Sequence, residues 1–384
     1  MSNERTPDKT FTKKEIASIA RRDNVSGFEN YNPQWLTMSD IKAKPQPWFW
    51  QGMIPSSTLT LFGGHGGIGK SLILLYLAAK TTSGENFNAG GLTHTLEKGA
   101  VILLSAEDDI EQQIKPKLIA ANANCKKIHF LVSKIGDISG KQKFIELNKD
   151  LHLLENKIQE LQDVKLIIVD PITYFIGDLR ENYNSDVANF LQSLIILAKK
   201  YNISILLNKH LRKQATGAKG AALAADEVGG AGAWTNTPRR CWLITNHPDD
   251  LEIKVITKMK DNLGAKDKEC LAYKIIPVEI EEDGVVIKTT ILTWLDEMQS
   301  LTSEEAVNEE KYEKSKLQYA VEFILSYLKE NGQSVVAHIK EKSVKKGVKE
   351  QTFRRAMGEI EQGHKESVRV TSGVRGAKIY NLID

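Results

Sequence analysis

The sequence predicts an α/β protein: a mostly parallel, twisted sheet flanked by helices, followed by a smaller domain of three helices and a β-hairpin. Three observations carry this expectation. Short runs rich in Val, Ile and Leu recur between residues 58 and 258, and near-continuous apolar runs suit strands covered on both faces. Helical patterns lie between the early runs, and strand–helix–strand repetition implies parallel pairing. A stretch rich in Glu, Lys and Ser, about 297–315, then breaks the pattern.

Taken in order, residues 1–45 are polar and weakly patterned and read as an arm. The main domain, 46–296, holds the runs TLTLFGG (58–64), AVILLSA (100–106), KLIIVD (165–170), SILLN (204–208), RCWLIT (240–245) and LEIKVITK (251–258). The clearest helices follow Ser71 and carry the stripe Leu147, Leu151, Leu154, Ile158 and Leu161. The last two runs lie close together and are expected to form an antiparallel extension. A Gly- and Ala-rich segment, 215–233, reads as a loop. After the 297–315 linker, residues 316–384 begin with an amphipathic helix stopped at Asn331–Gly332. Two helical patterns joined around Gly347 and two strands around a Gly-containing turn follow, an order that suggests a winged helix.

With 384 residues the chain can bury one large core and a second small one. Charged residues make up 26% and apolar ones 41%, ordinary values for a globular protein. A net charge of +3 permits a polyanionic partner without requiring one. Cys125, Cys241 and Cys270 are far apart, so neither a disulfide framework nor a zinc site is expected, and a reducing cytoplasm is the default. No apolar run approaches membrane-spanning length, so no membrane partner is expected.

The chemistry concentrates at GHGGIGKS, Gly64 to Ser71, which matches G-x-x-x-x-G-K-[ST] between a β-run and a helical pattern. The backbone of Gly64, Gly66, Gly67, Ile68, Gly69, Lys70, Ser71 and Leu72 is expected to cradle the phosphates of ATP. Lys70 would reach the β- and γ-phosphates, and the Ser71 hydroxyl would ligate Mg²⁺. Asp170 closes the run LIIVD and is expected to hold Mg²⁺ with Ser71; the bland alternative is a strand-end Asp capping a turn. Glu107, in LLSAEDD, is a candidate to polarise the attacking water, with Asp108 as an accessory. Capping of the next helix by Glu107, Asp108 and Asp109 is the competing reading.

In this order the P-loop, SAEDD, IIVDP, NKHLRK and the Gly-Ala loop resemble the RepA-type plasmid replicative helicases. More broadly they resemble the AAA-domain RecA-like ATPases of mobile elements, over roughly residues 45–295. The resemblance implies a RecA-like P-loop core, assembly as a hexameric ring, and ATP hydrolysis at subunit interfaces. It also implies that Glu107 ends the strand next to the P-loop strand. The family's H-H-x-x-K is matched by His210 and Lys213, with Lys209 in the place of the first histidine. It implies a γ-phosphate sensor at His210, an arginine acting on the neighbour's ATP at Arg239, and a trans lysine at Lys260, with Lys258 in reserve.

Two nucleic-acid surfaces are expected. In a ring, Lys213 and Lys219, with Lys209 and Arg212 nearby, would line the pore and grip single-stranded DNA through phosphate. Lys345, Lys346, Arg354 and Arg355 surround the helix expected to read duplex DNA in the C-terminal domain. Three functions share these motifs: a ring helicase, a regulatory or loader ATPase that binds DNA without unwinding it, and a recombinase-like filament former.

Overall fold

A computed structural model describes residues 35, 37–131, 134–135, 142–143, 145–211, 228–248, 250–263, 269–306, 309–363, 368–372 and 378–382. The chain divides into two compact units, Met1–Gln46 and Pro47–Asp384. In the first, Met38–Asp40 form a single 3-10 turn.

The second unit is built on one large sheet. Its main strands are β1 (Leu59–Gly64), β2 (Ala100–Ser105), β3 (Ile128–Phe130), β4 (Val164–Asp170), β5 (Ser204–His210), β6 (Arg240–Asn246), β7 (Ile253–Asp261), β8 (Glu269–Glu282) and β9 (Val285–Trp294), with the short strand Gln299–Ser300 paired to the start of β8. They lie in the order β9-β8-β7-β6-β1-β5-β4-β2-β3. The six from β6 to β3 are mutually parallel, and β7, β8 and β9 run antiparallel beyond them. The antiparallel extension therefore begins one strand later than the sequence suggests. After β5 the chain leaves the sheet through a segment that includes the short helix Ala233–Asn236. It re-enters as β6 from the same end as β1.

Alternate residues of each central strand feed opposite faces, which is why their apolar runs are unbroken. Phe62, Leu103, Ile168, Leu206 and Ile244 pack with α1 (Lys70–Ser83). Leu61, Leu104, Val169, Leu207 and Leu243 pack with α3 (Leu147–Leu161) and α4 (Asn184–Tyr201), leaving α2 (Lys115–Ala120) to follow β2. Each fully buried Leu or Ile contributes about 1.5–3 kcal/mol, so the two faces together clamp the strands firmly.

The hairpin β8–β9 is longer than the sequence pattern implies. Its turn has Asp283 and Gly284 at φ 52° and 77°, the two positive angles of a type I′ turn. The base of the hairpin buries Tyr273, Leu292 and Trp294 against α1, and Lys115 pairs with Glu282 at 2.6 Å near its outer end.

At the C-terminus, α5 (Glu309–Asn331), α6 (Val336–Lys345) and α7 (Glu350–Gly363) surround a separate core of Ile324, Leu328, Ile339, Phe353, Ile360 and Tyr380. A three-stranded sheet completes it, ordered β10-β12-β11, with β10 (Ser334–Val335), β11 (Val368–Ser372) and β12 (Lys378–Leu382). The two-residue strand β10 is too short to leave a periodic signal. Among the described residues no helix is long and apolar enough to cross a membrane.

The adjacent residues Arg239 and Arg240 have opposite fates. Arg240 is buried, pairs with half-buried Asp261 at 2.5 Å, donates to the Gly52 carbonyl and stacks against Trp48 and Trp242. Arg239 is exposed. In urea unfolding, Arg240→Leu should lower stability by about 3 kcal/mol, because Asp261 loses its close cation and keeps only Lys258 at 4.0 Å. Arg239→Ala should change it by no more than about 0.5 kcal/mol; equal losses would contradict this division.

Candidate active site

Register places the polar side chains. His210 lies opposite Gly64, and Asn208 opposite Phe62, on neighbouring parallel strands. Val169 lies opposite Leu207, so Asp170 comes level with Asn208, and Ser105 lies opposite Asp170 on the other side. The period of two then puts Asp170, Asn208 and His210 on the α1 face, at the carboxyl end of the sheet.

The P-loop closes on α1. Gly69 caps the helix at φ 92°, a left-handed angle, and no side chain caps the first turn; a Cβ at Gly69 would meet the Ile275 methyl of β8 at 2.6 Å. At Gly64 a Cβ would stand 2.6 Å from the Ile244 carbonyl of β6. Gly64 requires glycine because a backbone carbonyl of the next strand occupies the space, and Gly69 because of its left-handed φ. Gly66, Gly67 and half-buried Ile68 form the bend between them, and Leu72 is buried in the first turn of α1.

Lys70 is buried and its ammonium uses all three donors: to the Gly64 carbonyl at 2.8 Å, the His65 carbonyl at 2.8 Å and His210 Nδ1 at 3.3 Å. His210 Nε2 in turn lies 3.4 Å from Glu107 Oε1. With Nδ1 turned to the Lys70 ammonium, Nε2 is the ring nitrogen that faces Glu107. Burial pulls the Lys70 pKa down to about 8, against the opposing pull of the Asp170 and Glu107 charges.

The three acidic residues after β2 divide their work. Asp109 accepts the Gln112 N–H at 2.7 Å and caps the next helical turn. Asp108 pairs with Lys117 at 2.8 Å. Glu107 alone of the three faces His210. The strand that Glu107 follows is not where the resemblance implies: β2 is not next to the P-loop strand, because β5 and β4 lie between them. The α1 crossover carries the chain past those two places, and the later strands fill them. The His210 ring bridges the remaining distance to Glu107.

Asp170 is buried, and burial pushes its carboxyl pKa up, opposed by hydrogen bonds from Asn208 and Ser71 and by the Lys70 charge. Among the described residues no three His, Cys, Asp or Glu side chains converge as a metal cage. The hard oxygen pair Ser71–Asp170 suits Mg²⁺, which takes one or two protein ligands and completes its shell with phosphate and water.

Lys209, one residue from His210, points to the opposite face. It is buried, pairs with Glu181 at 3.1 Å and lies 4.4 Å from the Trp234 ring. It is therefore no surface contact for DNA, contrary to its grouping with the loop cations: odd positions on β5 face the inner core. Arg212, Lys213 and Lys219 lie outside the described residues, whose last contact before them is the bridge Leu211–Val228.

Arg239 and Lys260 are not brought to this P-loop. Arg240 lies opposite Thr60 and Ile244 opposite Gly64, so Arg239 comes level with Leu59 at the far end of β1, more than about 13 Å along the strand. Lys260 accompanies it, donating to the carbonyls of Asn236 and Pro238. Partial burial pulls the Lys260 pKa down, and the Arg239 charge adds to that pull. Lys258, the reserve, lies 4.0 Å from Asp261. In the C-terminal region Lys345 pairs with Glu341 and Arg354 with Glu350, at 2.7 and 2.8 Å, while both cations stay well exposed. Lys346 and Arg355 are exposed as well.

Sequence reasoning missed Asn208, Glu181, Tyr273 and Ile275. Asn208 had a signal, a polar residue inside the apolar run SILLN. The other three are near the site only through long-range packing.

The depressed pKa of Lys70 has a measurable consequence. Phosphate charge favours the ammonium, so at about pH 9 ATP binding should take up a proton, seen as a binding enthalpy that varies with the buffer's ionisation heat. Near pH 6.5 Lys70 is already charged and contributes no uptake. No buffer dependence at the higher pH would show that Lys70 is charged there before ATP arrives.

Against known proteins, no curated protein matches the chain. Residues 29–216 match the family model of the AAA domain, a P-loop ATPase family, and this span includes the P-loop, Glu107, Asp170 and His210 but neither Arg239 nor Lys260.

Proposed function

We propose that this protein is an ATP-hydrolysing motor that works on DNA as a ring, in the manner of a replicative helicase of a mobile element. The observation that carries the reading is the chain Lys70–His210–Glu107 across the P-loop. Glu107 is the general base. His210 Nε2 lies 3.4 Å from its carboxylate, and the Lys70 ammonium holds His210. When Lys70 turns to the β- and γ-phosphates, His210 loses its donor and is free to release Glu107 toward the attacking water. His210 thus reads the γ-phosphate through Lys70. Ser71 and Asp170 would hold Mg²⁺, which would supply charge neutralisation on the phosphates.

Among the described residues, Lys70 is the chain's own cation for the developing transition-state charge. Arg239, exposed at the far end of β6, with Lys260 beside it, is suited to a neighbouring subunit's ATP rather than its own. Each ring interface would then hold one complete site. Lys213 and Lys219 would face the pore and hold single-stranded DNA.

A second reading, a regulatory or loader ATPase that does not unwind, is favoured by the C-terminal three-helix, three-strand domain. We read that domain as a winged helix. Lys345 and Arg354 are 65% and 76% exposed despite their surface ion pairs, and such pairs are weak enough to yield to phosphate. Duplex DNA would lie along α7, with Lys346 and Arg355 as further phosphate contacts.

The readings separate in one assay. The motor predicts that single-stranded DNA raises ATP turnover and that forked duplex is opened with ATP; the regulator predicts neither. Glu107→Gln should retain ATP binding and lose hydrolysis by roughly 10²–10⁴-fold, the usual worth of a general base. Normal turnover in Glu107→Gln would remove Glu107 from that role.

A further inference from the structure

We infer that Asn208 is a positioning residue that fixes the Asp170 carboxylate for the Mg²⁺–nucleotide complex, an inference that rests on the nucleotide-site reading above. Asn208 is 1% exposed, and the inward positions that share its face of the sheet are apolar, Leu206 beside it and Phe62 opposite. An amide there costs about 1–3 kcal/mol wherever its hydrogen bonds are unmade, so the fold alone would favour an aliphatic residue. Its Nδ2 donates to Asp170 Oδ1. Its own Oδ1 is buried and accepts no hydrogen bond from the described residues. The amide is thus retained at a cost, half satisfied, and its satisfied half is spent on one carboxylate oxygen.

The geometry explains why that oxygen matters. Asp170 and Asn208 are level on adjacent parallel strands and share the α1 face. Ser71, in the first turn of α1, lies beside Asp170 and helps lower its pKa. The carboxylate is held by the amide from the neighbouring strand, with the Ser71 hydroxyl close by. Without the Asn208 amide the carboxylate is free to rotate. The unpartnered Asn208 carbonyl remains as a buried acceptor for a water proton beside the same carboxylate. Asn208 touches neither substrate nor reacting atoms; it acts through Asp170.

The test is nucleotide binding rather than turnover. The dissociation constant of a fluorescent ADP analogue is measured for the full chain in excess MgCl₂ and in excess EDTA. Asn208→Ala should weaken binding in Mg²⁺ by roughly 10- to 100-fold, the usual effect of removing a residue that orients a metal ligand. The EDTA value should not change. In an Asp170→Ala background, Asn208→Ala should cause no further loss, because the two residues act as one unit. Equal weakening in both media, or a full additional loss in the Asp170→Ala background, would overturn the inference. If Asn208→Ala does not fold, as judged by circular dichroism, Asn208→Ser keeps a small donor and should fall between wild type and the loss expected for alanine; a wild-type Mg²⁺ dependence in Asn208→Ser together with full binding would also overturn it. A wild-type protein that binds nucleotide no better with Mg²⁺ than without would instead remove the reading beneath it.

Discussion

Because His210 is level with Gly64, and Asn208 with both Phe62 and Asp170, the site hangs on the register of three parallel strands, β1, β5 and β4. A slip of one residue in β5 would turn His210 and Asn208 into the opposite core and bring Lys209 to the phosphates. What prevents the slip is the buried packing on both faces: Leu206 against α1, and Ile205 and Leu207 against α3 and α4. The buried Lys209–Glu181 pair reinforces it, since sliding would strand a charge in the core. Fold stability and site geometry rest on the same set of contacts.

The same burial sets the electrostatics. Lys70 and Asp170 both lie out of water and each is pushed toward its neutral form, partly restrained by the other's charge. A polyphosphate with its cation relieves both penalties together, because it brings anionic oxygens to the lysine and positive charge to the carboxylate. The site is thus organised around charges that remain incompletely compensated within the protein, which is how preorganised electrostatics stores binding energy.

Much of this was legible in the sequence, for local reasons. The P-loop is a contiguous motif flanked by its strand and helix, and the apolar runs of β1, β2, β4, β5 and β6 report two-sided burial directly. Spatial neighbours were harder. Glu107 follows the second strand in the chain, but strand order is decided by crossover packing, and the sheet puts β5 and β4 between. Lys209 looks like one more loop cation until strand alternation turns it inward. The Asp283–Gly284 turn was a readable hairpin signal, whereas nothing local announces that Ile275 of the same hairpin meets Gly69.

As a ring ATPase the chain would carry half of a catalytic site: base, lysine and metal ligands at one end of the sheet, and Arg239 at the other, out of reach of its own P-loop. The most direct test mixes two inactive proteins, Arg239→Ala and Glu107→Gln, and measures ATP turnover against the mixing ratio. Activity should reappear in the mixture, because some interfaces then pair an intact Glu107 with an intact Arg239. Turnover that stays at the level of the separate variants at every ratio, with mixed assemblies confirmed by sizing, would contradict a site shared between subunits.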